Sequence, residues 1–126
     1  KMTFNSHDVF LIDTVGFISD MSGEMIEAFS PTFADIASSD LILHIVDSTA
    51  KGWERKKRFV EDLLIRNGIL KESIFTLFSK SDVIKIKHPV QNGFFYSSTD
   101  GKDIKRIRSF ILSTLFPQEP SGGFKY

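Results

Sequence analysis

Apolar runs of strand character alternate along this chain with segments in which apolar positions recur every three to four residues. Residues 1–4 and 9–12 flank Asn5-Ser6-His7-Asp8, which has the composition of a hairpin turn. Segment 23–38 places Met25, Ile26, Phe29, Phe33, Ile36 and Ala37 on one helical face. Pro31 would cost about 3 kcal/mol inside one continuous helix. Ser30 as cap and Pro31 at the first position of a second short helix removes that conflict, so a broken helix is expected. Residues 41–46 read as a strand buried on both faces. Segment 53–67 is helical, with Trp53, Val60, Leu63 and Leu64 inward and Asn67-Gly68 as its stop. Two further strands, 74–78 and 94–96, precede a last helix over 102–116 that turns Ile104, Ile107, Ile111, Leu112 and Leu115 inward and closes at Pro117. Between Asp82 and Phe94 there is room for one turn or a loop.

Strand and helix in alternation predict an α/β fold: a mainly parallel sheet in three layers, with helices on both faces. Composition keeps that picture simple. A chain of 126 residues can bury one core and not two. Sixteen basic and sixteen acidic side chains cancel, so no global field draws nucleic acid or an anionic membrane. There is no cysteine, hence no disulfide framework and no thiolate metal site. No apolar run approaches the roughly 20 residues that span a bilayer, so no membrane partner is expected. The thirteen phenylalanines fall mostly on strands and inner helix faces, as packing.

The chemistry lies at strand ends. Asp13-Thr14-Val15-Gly16-Phe17 follows Val9-Phe10-Leu11-Ile12, so an acid and a glycine sit where a strand would emerge at its carboxyl end. Open α/β sheets bind ligands there. In nucleotide hydrolases such an Asp reaches Mg²⁺ through water, and the glycine N–H meets the γ-phosphate. By itself the tetrad is equally a strand entering a turn. Ser79-Lys80-Ser81-Asp82 follows the second strand-like run, and there a carboxylate can accept guanine N1–H and the exocyclic amine while the lysine stem lies along the base plane. Ser97-Ser98-Thr99-Asp100-Gly101 follows Phe94-Phe95-Tyr96, and its backbone N–H groups are suited to the guanine carbonyl oxygen. The three loops come in the order a guanine-nucleotide site requires.

With these residues in view, the chain resembles the later part of a translation-factor-class, Ras-like GTPase domain, and within that class the HflX family. Asp13-Thr14-Val15-Gly16-Phe17-Ile18-Ser19-Asp20 is similar to that family's switch II opening. Glu27-Ala28-Phe29 with Thr32 resembles its following helix, and Ser39-Asp40-Leu41-Ile42-Leu43-His44-Ile45-Val46-Asp47 its next strand. Ser79 stands where asparagine is usual, and Ser98 and Thr99 where Ala and Lys are usual. The resemblance covers residues 1–116, a partial GTPase domain, and leaves 117–126 as a loose tail. It implies GTP binding and Mg²⁺-dependent hydrolysis, the large ribosomal subunit as partner, ATP as a further substrate, and the cytoplasm as compartment, or an organelle if a transit peptide precedes the chain. Asp13 and Gly16 would serve metal and γ-phosphate, with Thr14 and Val15 between them. Ser79, Lys80, Ser81 and Asp82, with Ser97, Ser98 and Thr99, would hold the base. Phe17 occupies the position where many Ras-like GTPases carry a glutamine that orients water, so slow intrinsic hydrolysis is expected unless a partner orders the water.

No Gly-x-x-x-x-Gly-Lys-Ser/Thr occurs, and Gly101-Lys102 is followed by Asp103. The expectation is a fragment whose upstream part carries the phosphate loop, inactive and poor at binding GTP alone. Its two apolar strands, 9–12 and 41–46, would then either pair with each other or associate between copies. A genuine start at Met2 would instead suit a non-catalytic interaction module derived from the same fold. His44 reads as a hydrogen-bonded core histidine, and His7 and His88 as turn residues without metal spacing. Arg55-Lys56-Lys57-Arg58 reads as a solvated helix face, with ribosomal RNA phosphates as its alternative partner. Asp47-Ser48-Thr49 reads as a helix cap.

Overall fold

The structure is a computed structural model that describes residues 1–4, 6–13, 30–85 and 87–117. The expectations for Thr14, Val15, Gly16 and Phe17, for the first half of the broken helix and for the tail beyond Pro117 lie outside those residues. Strands β1 (Met2–Phe4) and β2 (His7–Val9) form an antiparallel hairpin in which Phe4 faces His7. Ser6, at φ 72°, supplies the left-handed backbone such a tight connection needs. Helix α1 (Ser30–Ala37) follows, then β3 (Ile42–Asp47), α2 (Trp53–Arg66), a 3-10 turn (Lys71–Ser73), β4 (Ile74–Ser79), β5 (Gly93–Phe95) and α3 (Gly101–Leu115). Pro31 is the second residue of α1 as described. Gly68, at φ 86°, and the Asn67 amide, donating to the Leu63 carbonyl at 2.8 Å, end α2 as its sequence indicates.

Strands β3, β4 and β5 form a parallel sheet in that order, with Ile42 opposite Ile74 and Thr76 opposite Gly93. Alternation along the strands then sorts the side chains by face. Ile74 and Phe78 point one way, where Phe33 and Ile36 of α1 and Val60, Leu63 and Leu64 of α2 form a core with Ile74, and Trp53 meets Phe78 edge-on at 5.2 Å. Phe75 and Phe94 point the other way onto Phe110 of α3, Phe75 stacking on it at 3.9 Å. The three-layer α/β architecture is therefore the observed one. On α3, Ile111 and Leu112 are buried as expected, whereas Ile104 is exposed; likewise Ala37 of α1 is exposed.

The apolar strands depart from expectation for one shared reason. Only Val46 of β3 is buried, and Ile45 is 53% exposed, because among the described residues β3 pairs on one edge alone, with β4. The second strand starts earlier than its pattern suggests and ends at Val9, leaving Phe10, Leu11 and Ile12 outside any described sheet and 58–71% exposed. The hairpin is anchored instead on α3: Val9 packs with Leu112, and His7, which lies on β2, stacks on Phe116 at 4.1 Å. Held there, β2 does not pair directly with β3. A cleft of about 1240 Å³ lies between residues 8–13 and β3.

His44 corrects a second expectation. It lies on the α2 side of β3, and its buried Nδ1 has no hydrogen-bond partner among the described residues. Burial pushes the imidazole pKa below its ordinary value; the Glu61 carboxylate partly opposes this and the Lys57 ammonium adds to it. The unfolded chain therefore takes up a proton near pH 6.5 that the folded chain resists. This contribution to stability is complete above about pH 7 and is lost as pH falls below that value. His44→Leu is expected to flatten the acid side of the stability profile between pH 7.5 and 5. Equal acid losses in both proteins, from urea unfolding at the two pH values, would refute the assignment.

Candidate functional site

The carboxyl ends of β3, β4 and β5 converge on one edge of the sheet, and backbone chemistry ties their loops together. The Ser79 carbonyl accepts from Ser48 N–H at 3.3 Å and from Ser48 Oγ at 2.5 Å, while Ser79 Oγ donates to the Val46 carbonyl at 3.2 Å. Ser81 is buried, and its N–H donates to the Tyr96 carbonyl at 3.0 Å. Ser79 and Ser81 thus point into the scaffold and fasten the β4 loop to its two neighbours.

Lys80 and Asp82 alternate with them and point outward, both exposed. Lys80 has a left-handed backbone, φ 61°, a conformation that costs a non-glycine residue about 1 kcal/mol and persists only where the surroundings impose it. Its ammonium meets Asp47 Oδ2 at 2.6 Å. Asp82 is the exception in the loop: its carboxylate makes no hydrogen bond or ion pair among the described residues.

The β5 loop shows a similar division. Ser97 is buried, and its N–H donates to Asp103 Oδ2 at 2.8 Å. Thr99 N–H donates to Ser97 Oγ at 3.3 Å, and Asp100 N–H to the Ser97 carbonyl at 3.2 Å. Asp100 caps α3 by accepting from Lys102 N–H at 2.8 Å. Of the amides in Ser97-Ser98-Thr99-Asp100, the one without a protein acceptor among the described residues is that of Ser98. An unpaired carboxylate and an unpaired N–H therefore lie on adjacent loops joined by the bond from Ser81 to Tyr96.

Asp13 is exposed and lines the cleft, as Asp47 does. A lone oxygen ligand suits a hard cation such as Mg²⁺, which keeps several waters and takes one or two carboxylates. Among the described residues no three His, Cys, Asp or Glu side chains converge into a complete metal cage, and none of their helices is long and apolar enough to cross a membrane.

Asp47, Ser48 and Thr49 are the residues that sequence reasoning misplaced. They cap no helix: α2 begins after Gly52, whose left-handed backbone, φ 72°, carries no side-chain cap. Asp47 Oδ1 instead accepts from Thr49 N–H at 2.9 Å and from Thr49 Oγ1 at 2.7 Å, while Oδ2 takes Lys80. The Lys80 ammonium, with the Thr49 hydroxyl and amide, holds the Asp47 carboxyl well below the usual carboxylate range. An Asx turn was legible locally in Asp-x-Thr; the partner 33 residues away was not.

Residues 1–80 match the family model described as 50S ribosome-binding GTPase. The GTPase HflX of Caldanaerobacter subterraneus subsp. tengcongensis is 28% identical over 97% of this chain and 31% of its own length. The GTPase HflX of Hyperthermus butylicus is 33% identical over 92% of this chain and 28% of its own. A chloroplastic GTP-binding protein of Arabidopsis thaliana is 41% identical over 52% of this chain and 11% of its own. The chain thus spans between about a tenth and a third of the length of these curated relatives.

Proposed function

Because this chain belongs to the 50S ribosome-binding GTPase family, as an HflX-family G domain, we propose that its strand-end loops form the guanine-reading half of a GTP-hydrolysing site. The observation that carries this reading is that the Asp82 carboxylate and the Ser98 N–H, both on exposed residues, have no protein partner among the described residues, on two loops joined by the bond from Ser81 N–H to the Tyr96 carbonyl. A carboxylate there accepts N1–H and the exocyclic amine of guanine, and an adjacent amide donates to the base carbonyl. Adenine instead offers an acceptor at N1, a donor at C6 and no amine at C2. The Lys80 stem supplies an apolar rail along the base plane. Ser79, Ser81, Ser97 and Thr99 serve by holding these loops in register.

The phosphate end of the reading falls to Asp13-Thr14-Val15-Gly16. Asp13 would hold Mg²⁺ through water, and the metal when bound offsets phosphate charge. The Gly16 N–H would meet the γ-phosphate, where a Cβ would obstruct the approach. Phe17 can neither donate nor accept a hydrogen bond to the attacking water. Hydrolysis is accordingly slow until a partner orders that water, and the large ribosomal subunit is the partner this reading assigns. It places the protein in the cytoplasm or an organelle interior, where GTP and ribosomes meet.

Asp82→Asn in the intact protein tests the base-reading assignment. The amide keeps an acceptor for N1–H but presents a donor to the 2-position, which suits the carbonyl of xanthine and not the amine of guanine. Loss of a charge-assisted bond costs about 1.5–3 kcal/mol of GTP affinity, and xanthosine triphosphate should bind better than it does to the parent protein. Unchanged GTP affinity by calorimetry would remove Asp82 from the site.

A further inference from the structure

Lys80 is constrained at both ends. Its backbone is held in the left-handed region between Ser79, which is bonded to β3, and Ser81, which is bonded to the β5 loop. Its ammonium lies 2.6 Å from Asp47 Oδ2, and the other oxygen of that carboxylate is occupied by both donors of Thr49. A long side chain that would otherwise sample many rotamers is thereby fixed at its tip to the end of β3.

Stability does not account for this arrangement. The Lys80 and Asp47 side chains are 58% and 37% exposed, and ion pairs this wet contribute little to folding. Ordering is the more consequential effect. A binding event that must immobilise a free lysine loses affinity, and one that finds it already held does not.

We propose that Asp47, oriented by Thr49, is a positioning residue for base recognition: it fixes the Lys80 ammonium before the nucleotide arrives, so that the lysine stem is preorganised as a rail for the purine. This rests on the base-reading role given above to the Ser79–Asp82 loop. It adds a requirement from a strand that contributes nothing else to the base pocket. The Asp47 carboxylate stays ionised throughout the physiological range, since Lys80 and Thr49 hold its pKa low, so the latch does not open with mild acid.

The test is a double-mutant cycle on GTP affinity in the intact, Mg²⁺-loaded protein, read by calorimetry, with Asp82→Asn as control. Asp47→Asn keeps the turn with Thr49 but drops the charge, and should raise the GTP Kd about five-fold through the lost ordering of Lys80. Asp47→Glu should recover most of that loss. In a Lys80→Met background Asp47→Asn should have no further effect, and the urea midpoint of the nucleotide-free protein should not move. If Asp82→Asn impairs GTP binding while Asp47→Asn does not, the latch is wrong and the base loop stands. If Asp47→Asn costs the same with Lys80→Met present, the residue acts by another route and the proposal fails. If Asp82→Asn also leaves GTP binding intact, the base-reading loop is refuted and the latch falls with it.

Discussion

Phe78→Ala is expected to destabilise the folded protein by about 3–5 kcal/mol, the range for emptying a closed aromatic site. Phe78 is 1% exposed. Its ring stacks on Phe95 of β5 at 4.9 Å and receives the edge of Trp53 at 5.2 Å, so one side chain joins β4, β5 and the first turn of α2. Truncation leaves a cavity that β5 cannot fill, because the strand is bound to β4 through its backbone. The next residue is Ser79, so the same change should loosen the loop proposed to read the base and weaken GTP binding alongside stability. Phe78→Leu retains most of the volume and should recover much of the loss, leaving a cost of about 1.5 kcal/mol. Urea unfolding followed through Trp53 fluorescence measures this directly, since that indole lies against the altered ring. A loss below about 1 kcal/mol for the alanine variant would show that the site collapses readily.

Gly93→Ala is expected to be nearly as damaging, although it adds a single methyl group. A Cβ at Gly93 would lie 2.3 Å from the Thr76 carbonyl oxygen and 3.2 Å from its carbon. The obstacle is backbone and cannot swing aside. Thr76 is buried in the central strand, and its N–H donates to the Asn92 carbonyl at 3.0 Å, while the Asn92 side chain donates to the Ile74 carbonyl at 2.5 Å. Either β5 moves off β4 or the sheet bends, and overpacking of this kind costs about 2–3 kcal/mol. Because β5 leads directly to Tyr96, Ser97 and Ser98, GTP affinity should fall in the same variant. Parent-like stability and affinity in Gly93→Ala would mean that β5 pairs more loosely than the register implies.

The local grammar of this fold was legible. The 3.6-residue spacing of Val60, Leu63 and Leu64 marked the inner face of α2, and Asn67-Gly68 marked its end. Alternation of strand and helix implied a parallel sheet covered on both faces, and the structure has one. These features depend on backbone propensity and on which side of an element is apolar, both carried by residues within a few positions of one another.

The candidate site was legible only as a set of loops. Residues 79–82 and 97–99 could be singled out because strand ends are where such sheets bind ligands, yet their division of labour could not. Ser79 and Ser81 turn inward and Asp82 outward because the left-handed Lys80 between them sets the direction, and because Val46 and Tyr96 supply the backbone partners. Among the described residues the Ser98 N–H has no protein acceptor, while Asp103, six residues after Ser97, takes the amide of Ser97.

What the sequence by itself determined is therefore the α/β class, the helix faces and the positions of the three loops, all matters of short-range pattern. Tertiary structure alone decided that, among the described residues, Phe10, Leu11 and Ile12 stand exposed beside a β3 edge without a strand partner, that His44 Nδ1 has no hydrogen-bond partner, and that Asp47 pairs with Lys80. Each of these depends on which groups from distant segments arrive at the same place. An apolar run shows that a strand can form, but burial, hydrogen bonding and charge pairing are set by neighbours that only the folded chain assembles.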